Sequence, residues 1–309
     1  MSFWEKLDKP FFCLAPMADV TDAAFRRIIV KYGKPDVLWT EFVSADGLVS
    51  EGKEALKKDL IYSKKEKPIV VQLFSANPKK IKKAAIYCAS LGFDGVDINM
   101  GCPDRSIEKQ GAGASLMKDY ELSAKIIASA KESNLPVSVK TRVGYNRVQE
   151  DWIPFLLNQG LAALIIHART RKEMSKVSAN WGHIKRAVEI RNERELDTLI
   201  IGNGDVATLE QGRRLAKETG CDGIMIGRGI FGNPWLFSER IPTLKEKMKV
   251  MLEHTKMFNK LIDFKNFAVM KKHFKAYVNG FDGAKELRIK LMKVNSYKEV
   301  KKIIKDFLR

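Results

Sequence analysis

Residues 198–229, TLIIGNGDVATLEQGRRLAKETGCDGIMIGRG, contain the strand–helix–strand pattern from which the fold class follows. The apolar runs at 198–204 and 223–229 are typical of parallel strands that are buried on both faces. The segment between them has the pattern of a helix at 208–219. Six further apolar runs precede this unit, at residues 11–17, 37–43, 68–74, 95–100, 136–143 and 163–169.

Eight strands that alternate with helices predict a (β/α)8 TIM barrel, an α/β fold. The first helix is expected at 22–32, with Thr21 as its N-cap and Gly33 as its end. Later helices are expected at 77–91, 119–133, 147–159, 182–193 and 208–219. A doubly wound sheet would require a Gly-x-Gly-x-x-Gly turn after the first strand, where this chain has APMAD.

The barrel pattern ends near Phe237, and a helical pattern follows it to the end of the chain. Four helices are expected there, at 243–261, 265–279, 283–293 and 296–308. We therefore predict two domains, a catalytic barrel at 1–240 and a small C-terminal helical domain at 241–309.

Positive charge is concentrated in the C-terminal region. The chain has a net charge of +18, and residues 243–309 carry 18 Lys or Arg against 7 Asp or Glu, which gives +11. A compact basic unit indicates a polyanionic partner. The alternative interpretation is a solvated, lysine-rich helical surface.

Composition argues against a membrane protein and a metal site. No apolar run approaches the roughly 20 residues that cross a bilayer, and the first residues do not resemble a signal peptide, so a cytoplasmic protein is expected. The four cysteines are too far apart in sequence for a Cys-x-x-Cys motif. We expect Cys13, Cys88 and Cys221 to be small buried hydrophobic residues.

Polar residues end nearly every predicted strand. Active sites of such barrels lie at the carboxyl ends of the strands, so these side chains are expected to share one pocket. They are Glu41, Gln72, Asn99, Lys140, Arg142, His167, Arg169, Asn203, Asp205 and Arg228. The glycine turns at 202–205 and 227–229 follow strands 7 and 8, the usual phosphate site of this fold.

The segment at 101–115 is the longest connection in the predicted barrel, and Cys102 lies at its start. Long loops in compact domains are usually functional. Because Cys102 follows Asn99 by three residues, its thiol is expected to face the pocket.

Several ordered motifs resemble those of the tRNA-dihydrouridine synthases. They are APM at 15–17 with TD at 21–22, VQL at 71–73, NMGCP at 99–103, GAGA at 111–114, VKTR at 139–142, IHART at 166–170, GNGD at 202–205, and GRG at 227–229 with NPW at 233–235. The resemblance implies a flavin mononucleotide (FMN) barrel, NADPH as the electron source, and a helical domain that binds tRNA. Asp19, Ser75 and the pair Asp104-Arg105 depart from the usual pattern of the family.

The resemblance also implies roles for individual residues. Pro16, Met17 and Ala18 would line the isoalloxazine ring, and Gln72, Lys140 and His167 would contact its polar edge. The ribityl chain and phosphate would be bound by Asn203, Gly204, Asp205, Gly227 and Arg228. Asn99, Cys102 and Arg169 would face the uracil, with Cys102 as the general acid that protonates carbon 5. In the tail, tRNA contacts are expected at Lys271, Lys272 and Lys275.

Two alternative functions remain open at this level. One is a flavin barrel that reduces a free small molecule, as dihydroorotate dehydrogenases do. The other is a non-catalytic RNA-binding protein on a barrel scaffold. For the function that the resemblance implies, a monomer is expected.

Overall fold

The strands of the computed structural model, which describes residues 2–308, form an eight-stranded parallel barrel and confirm the predicted fold class. Their order is β1-β8-β7-β6-β5-β4-β3-β2, and β1 meets β2 through a parallel bridge between Cys13 and Val37. The Leu14 N–H donates to the Val37 carbonyl at 3.2 Å, which closes the barrel. The strands are β1 (Phe11–Leu14), β2 (Leu38–Ser44), β3 (Ile69–Phe74), β4 (Gly95–Met100), β5 (Val137–Arg142), β6 (Ala163–His167), β7 (Leu199–Asn203) and β8 (Gly223–Ile226).

The helices lie within the predicted segments, with additional short ones in the connections. The helices expected at 147–159 and 265–279 are shorter than predicted and begin only at Trp152 and Val269. The barrel part contains α1 (Ala23–Tyr32), α2 (Ala45–Leu48), α3 (Lys53–Lys57), α4 (Pro78–Ser90), α5 (Arg105–Glu108), α6 (Tyr120–Lys131), α7 (Trp152–Leu157), α8 (Gly182–Glu193) and α9 (Leu209–Thr219). The C-terminal part contains α10 (Leu244–Leu261), α11 (Val269–Tyr277), α12 (Ala284–Leu291) and α13 (Tyr297–Phe307). Among residues 2–308, no helix is both long and apolar enough to cross a bilayer.

The predicted N-cap of the first helix is wrong by one residue. Asp22 caps α1, because its carboxylate accepts the Phe25 N–H at 2.9 Å. The Thr21 hydroxyl instead accepts the Met17 N–H at 2.9 Å and donates to the Met17 carbonyl at 3.2 Å. Thr21 therefore closes the turn after β1.

The barrel interior is apolar at one end and polar at the other. Residues two apart on a strand share a face. On the inner face, an apolar residue therefore precedes each polar one: Val70 precedes Gln72, Ile165 precedes His167, and Ile201 precedes Asn203. The apolar members pack in one cluster with Trp4, Phe11, Trp39 and Met225. This cluster fills the amino-terminal end and leaves the polar side chains at the carboxyl end.

The helical region shares a hydrophobic cluster with the barrel. Ala24 and Ile28 of α1 and Trp235 pack with Met251 and Phe274. At this junction the rings of His254 and His273 lie 4.6 Å apart, and both contact Phe25 of α1 at 5.4 and 5.0 Å. The two histidines are fully buried, and none of their four ring nitrogens has a hydrogen-bond partner within the described chain.

This histidine pair predicts an acid-sensitive junction. Burial lowers the pKa of His254 to about 3 and that of His273 well below its usual value, with the charge of His254 as a further cause at His273. Since the unfolded histidines titrate near pH 6.5, stability is fully present above that pH and is lost as the pH falls below it. For each histidine, this loss of stability begins gradually at about pH 6.5 and becomes steeper at lower pH.

We expect the unfolding temperature to fall between about pH 7 and about pH 5.5. A variant with both His254→Leu and His273→Leu should show a much flatter pH dependence than the wild type, when both are measured by differential scanning calorimetry. Identical pH profiles for the two proteins would contradict this account.

Candidate active site at the carboxyl end of the barrel

Two joined cavities lie at the carboxyl ends of the strands. The larger has a volume of about 590 Å³ and the smaller about 170 Å³. Pro16, Lys140 and His167 line both, so these side chains stand where the cavities meet. A volume of this size is typical of small-molecule and cofactor sites, which measure about 300–1,000 Å³.

The larger cavity has an apolar wall and a cationic, glycine-rich end. Ala15, Met17 and Met225 form part of the wall. Most of the polar and glycine positions predicted at the ends of strands 5 to 8 line it, namely Lys140, His167, Arg169, Asn203, Gly204, Asp205, Gly227 and Arg228. Arg142 lines only the smaller cavity. The sequence did not point to Ser175, Val206 or Ala207, which also line it. These three belong to connections without a distinctive motif.

The turn after β7 depends on glycine. Gly204 has a φ of +133°, and a Cβ there would lie 2.7 Å from the Cβ of Ala179. The indole N–H of Trp181 donates to the Gly204 carbonyl at 3.1 Å, which holds the turn against the segment before α8. The backbone of this turn therefore lies at the cavity wall without a side chain in between.

A buried polar network supports the smaller cavity. The Gln72 amide donates to Asp97 at 2.6 Å, and Ser138 donates to the other oxygen of Asp97 at 2.6 Å. Asn99 donates to the Gln72 carbonyl oxygen at 3.0 Å and accepts the Cys102 N–H at 2.9 Å. Burial raises the pKa of Asp97 to about 6, against hydrogen bonds from Gln72 and Ser138 that lower it. Asp97 interrupts the apolar run of β4, but its place inside the strand did not single it out as a site residue.

Cys102 lies at the edge of the smaller cavity in a well-anchored loop. The Cys102 carbonyl accepts the Ala114 N–H at 2.9 Å, and Arg142 donates to the Gly101 carbonyl at 2.8 Å. Burial raises the pKa of the Cys102 thiol, so the thiol is protonated at neutral pH. A further cavity of about 560 Å³, which Arg105 and Arg171 also line, adjoins Cys102 on the outer side.

Lys140 is held between the two cavities. Its ammonium donates to the Asn203 side-chain oxygen at 3.2 Å, and Asn203 donates to the Met225 carbonyl at 2.8 Å. Burial, with a smaller effect from the Arg142 charge, lowers the pKa of Lys140 to about 8. The site therefore contains a cation that an anionic ligand would stabilise.

His167 is neutral. Burial, with further effects from Lys140, Arg142 and other cations, lowers its pKa to about 2. The His167 Nε2 lies 3.1 Å from a guanidinium nitrogen of Arg169. Because arginine only donates hydrogen bonds, Nε2 accepts and the ring proton is on Nδ1.

Arg169 lies at the larger cavity rather than the smaller one. Its guanidinium donates to the Val177 carbonyl at 2.7 Å and pairs with Asp205, which also pairs with Arg228 at 3.1 Å. Asp205 thus links two cations that come from different strands. Its carboxylate pKa is lowered, chiefly by the hydrogen bond from Arg169.

Three predicted residue groups lie outside the two cavities. Ala18 is exposed on the turn after β1, and neither cavity includes it among its lining residues. Glu41 is buried but is bound by Lys265 of the C-terminal region. On α11, Lys272 and Lys275 are exposed and Lys271 is half-buried.

The departures from the family pattern have local structural roles. Asp19 has a φ of +52°, a left-handed conformation that glycine adopts freely and Asp tolerates better than most residues. Ser75 accepts the Asn77 N–H at 2.9 Å, and Asp104 caps α5 by accepting the Ser106 N–H at 2.8 Å.

Known proteins resemble this chain along its whole length. A family model described as dihydrouridine synthase (Dus) matches residues 13–309. A probable tRNA-dihydrouridine synthase of Staphylococcus aureus (strain MRSA252) is 40% identical over 99% of this chain and 95% of its own length. Probable tRNA-dihydrouridine synthase 2 of Bacillus subtilis (strain 168) is 41% identical over 100% of this chain and 97% of its own length.

Solved structures with low sequence identity share the fold. A mutant of morphinone reductase in complex with tetrahydroNAD has a TM-score of 0.52 at 12% identity and covers 73% of this chain and 85% of its own. Histamine dehydrogenase from Rhizobium sp. 4-9 has a TM-score of 0.53 at 12% identity, over 80% of this chain and 48% of its own. At such identity the likeness shows the barrel alone. From the match to residues 13–309 and the full-length relatives, we conclude that this chain belongs to the dihydrouridine synthase family of oxidoreductases.

Proposed function

We propose that this protein binds FMN, accepts electrons from NADPH, and reduces uridines of tRNA to 5,6-dihydrouridine with Cys102 as the proton donor. The observation that carries the proposal is the pair of joined cavities. One has a cationic glycine-rich end, the other has a protonated thiol, and Lys140 lies between them.

The larger cavity fits FMN in its donor chemistry. Gly204, Gly227 and Arg228 offer backbone and guanidinium donors for a phosphate after strands 7 and 8. Met17 and Met225 provide apolar surface for a planar ring. Burial lowers the pKa of Lys140. The electron-rich pyrimidine edge of that ring would stabilise the charged form of the Lys140 ammonium beside it.

The smaller cavity fits a uracil base. When bound, FMN supplies the hydride that adds to carbon 6 of uracil. Negative charge then develops at carbon 5, and the Cys102 thiol donates a proton there. Asn99 and Arg142 line the same cavity and offer donors for the uracil oxygens. We assign Arg169 to holding His167 and Asp205, since it lies at the larger cavity.

We propose tRNA as the substrate because the relatives are named tRNA-dihydrouridine synthases and because the C-terminal region is strongly basic. A uridine in folded RNA reaches such a cavity only if it is extruded, which costs a few kcal/mol. Phosphate contacts from the basic C-terminal region, with its charge of +11, would supply that energy. A cytoplasmic location belongs to this proposal. A dihydroorotate dehydrogenase-like activity or a non-catalytic role does not account for the full-length match to the family.

The first prediction from the proposed function concerns the cofactor. The purified protein should be yellow and should release FMN on denaturation, because the larger cavity has the donors for its phosphate. Absorbance spectra and chromatography of the released flavin test this. Changing Arg228 to Met should weaken FMN binding, whereas Arg214→Met on the exposed face of α9 should not. A colourless protein that added FMN fails to reconstitute would contradict the assignment.

The second prediction concerns the proton donor. Cys102→Ala should retain FMN and its reduction by NADPH but lose about 100- to 10,000-fold in uridine reduction, the usual contribution of a general acid. Activity is measured with tRNA and NADPH. Cys221 is buried and lines neither cavity, so Cys221→Ala is the matched control and should retain activity. Normal turnover by Cys102→Ala would remove the residue from the mechanism.

The third prediction concerns RNA binding. Reversing charge at Lys271, Lys272 and Lys275 should weaken tRNA binding and flatten its salt dependence, by about one slope unit for each lysine–phosphate interaction that the reversal removes. Filter binding across salt concentrations measures this. The control reverses Lys185 and Lys217, which are exposed on α8 and α9 of the barrel. Equal tRNA affinity of all three proteins would place RNA recognition elsewhere.

A further inference from the structure

One lysine of the C-terminal region lies among three carboxylates beside the turn that follows β1. Lys265 lies in the loop between α10 and α11, and its ammonium donates to both oxygens of Glu41 at 2.9 Å. It also lies 3.4 Å from Asp19 and 3.6 Å from Asp59. The side chains of Lys265 and Glu41 are only 16% and 6% exposed, so this contact is largely shielded from solvent.

The same carboxylates hold the turn that follows β1. The Asp19 N–H donates to Glu41, and the Asp19 carboxylate faces Lys265. Asp19 has a φ of +52°, a conformation that costs energy for any residue except glycine. Two residues earlier, Met17 lines the larger cavity. Glu41 and Lys265 therefore contact the turn that supplies one wall of that cavity.

We propose that Lys265 is a positioning residue through which the basic helical region fixes the turn after β1, and with it the wall of the flavin cavity. The helical region would then do more than bind RNA, because its docking on the barrel would also set the affinity for the cofactor. The inference rests on the proposed function only in assigning that cavity to FMN.

The charged groups around Glu41 belong to several elements that pack against it. Asp19 belongs to the turn after β1, Asp22 and Arg26 to the start of α1, and Asp59 to the short helical turn after α3. Arg26 is already paired with Glu66 in the interior. Lys265 is thus the cation that directly contacts Glu41, and its removal would leave several carboxylates facing one another.

This arrangement of charges shifts the pKa values of Lys265 and Glu41. Burial acts to lower the pKa of Lys265, but the nearby carboxylates, Glu41 foremost, outweigh it and raise the pKa to about 12. Burial raises the pKa of Glu41, and Lys265 opposes that rise. Without Lys265 the pKa of Glu41 would rise further. A raised acid pKa in the folded state means that stability is lost as the pH rises through the interval between the unfolded and folded values.

The experiment compares Lys265→Met, Lys265→Arg, Glu41→Gln and the double variant Lys265→Met with Glu41→Gln. The matched control is Lys31→Met. Lys31 also makes an ion pair with the helical region, to Glu253, but it does so on the exposed side of α1 and away from the turn after β1. Two quantities are measured between about pH 5.5 and about pH 8, the unfolding temperature without flavin and the FMN dissociation constant.

We expect Lys265→Met to weaken FMN binding by about tenfold or more near pH 8, and this deficit should shrink as the pH falls and Glu41 becomes protonated. The deficit in unfolding temperature should shrink in parallel. Glu41→Gln should restore most of both losses in the Lys265→Met background, and Lys265→Arg should stay within about threefold of the wild type. Lys31→Met should leave FMN affinity unchanged at every pH.

Deficits that do not vary with pH, or that Glu41→Gln fails to rescue, would overturn the proposal. A loss of stability without a loss of FMN affinity would also overturn it, because Lys265 would then fasten the helical region without acting on the cavity. Failure of the wild-type protein to bind FMN would instead refute the proposed cofactor, while the flavin-free unfolding temperatures would still decide whether Lys265 neutralises Glu41.

Discussion

Polar side chains inside a closed barrel must find partners, because no water replaces the hydrogen bonds that burial removes. Here Asp97 is the central acceptor. It is fully buried, and Gln72 and Ser138 occupy both of its oxygens. Gln72 orients Asn99, and Asn99 in turn holds the Cys102 backbone. The position of the Cys102 backbone thus depends, through Asn99 and Gln72, on the buried carboxylate of Asp97.

Cationic side chains predominate at the carboxyl end of the barrel. Lys140, Arg142 and Arg169 surround a histidine that is held neutral, and Asp205 balances part of this charge through pairs with Arg169 and Arg228. Burial of cations without equal compensation costs free energy, which a protein recovers when an anionic ligand binds. The lowered pKa values of Lys140 and Arg142, to about 8 and about 10, express the same cost. This excess positive charge favours an anionic ligand.

The helical region and the barrel are built around one shared element, α1. Its buried face includes Phe25, which contacts both interface histidines, and Ile28, which belongs to the hydrophobic cluster of the helical region. The turn that precedes α1 lines the larger cavity through Met17 and approaches Lys265 through Asp19. The turn before α1 therefore contacts both the larger cavity and the helical region.

Strand periodicity, glycine turns and motif spacing are local properties, and they were enough to predict the barrel, its strands, the polar strand ends and the position of Cys102. They were not enough to predict that Asp22 rather than Thr21 caps α1, that Ala18 faces solvent, or that Asp97 organises the network. Those outcomes depend on which side chains meet across the fold. Lys265 and Glu41, 224 residues apart, are brought into contact only by packing of the helical region on α1, and neither residue carries a local pattern that predicts the other.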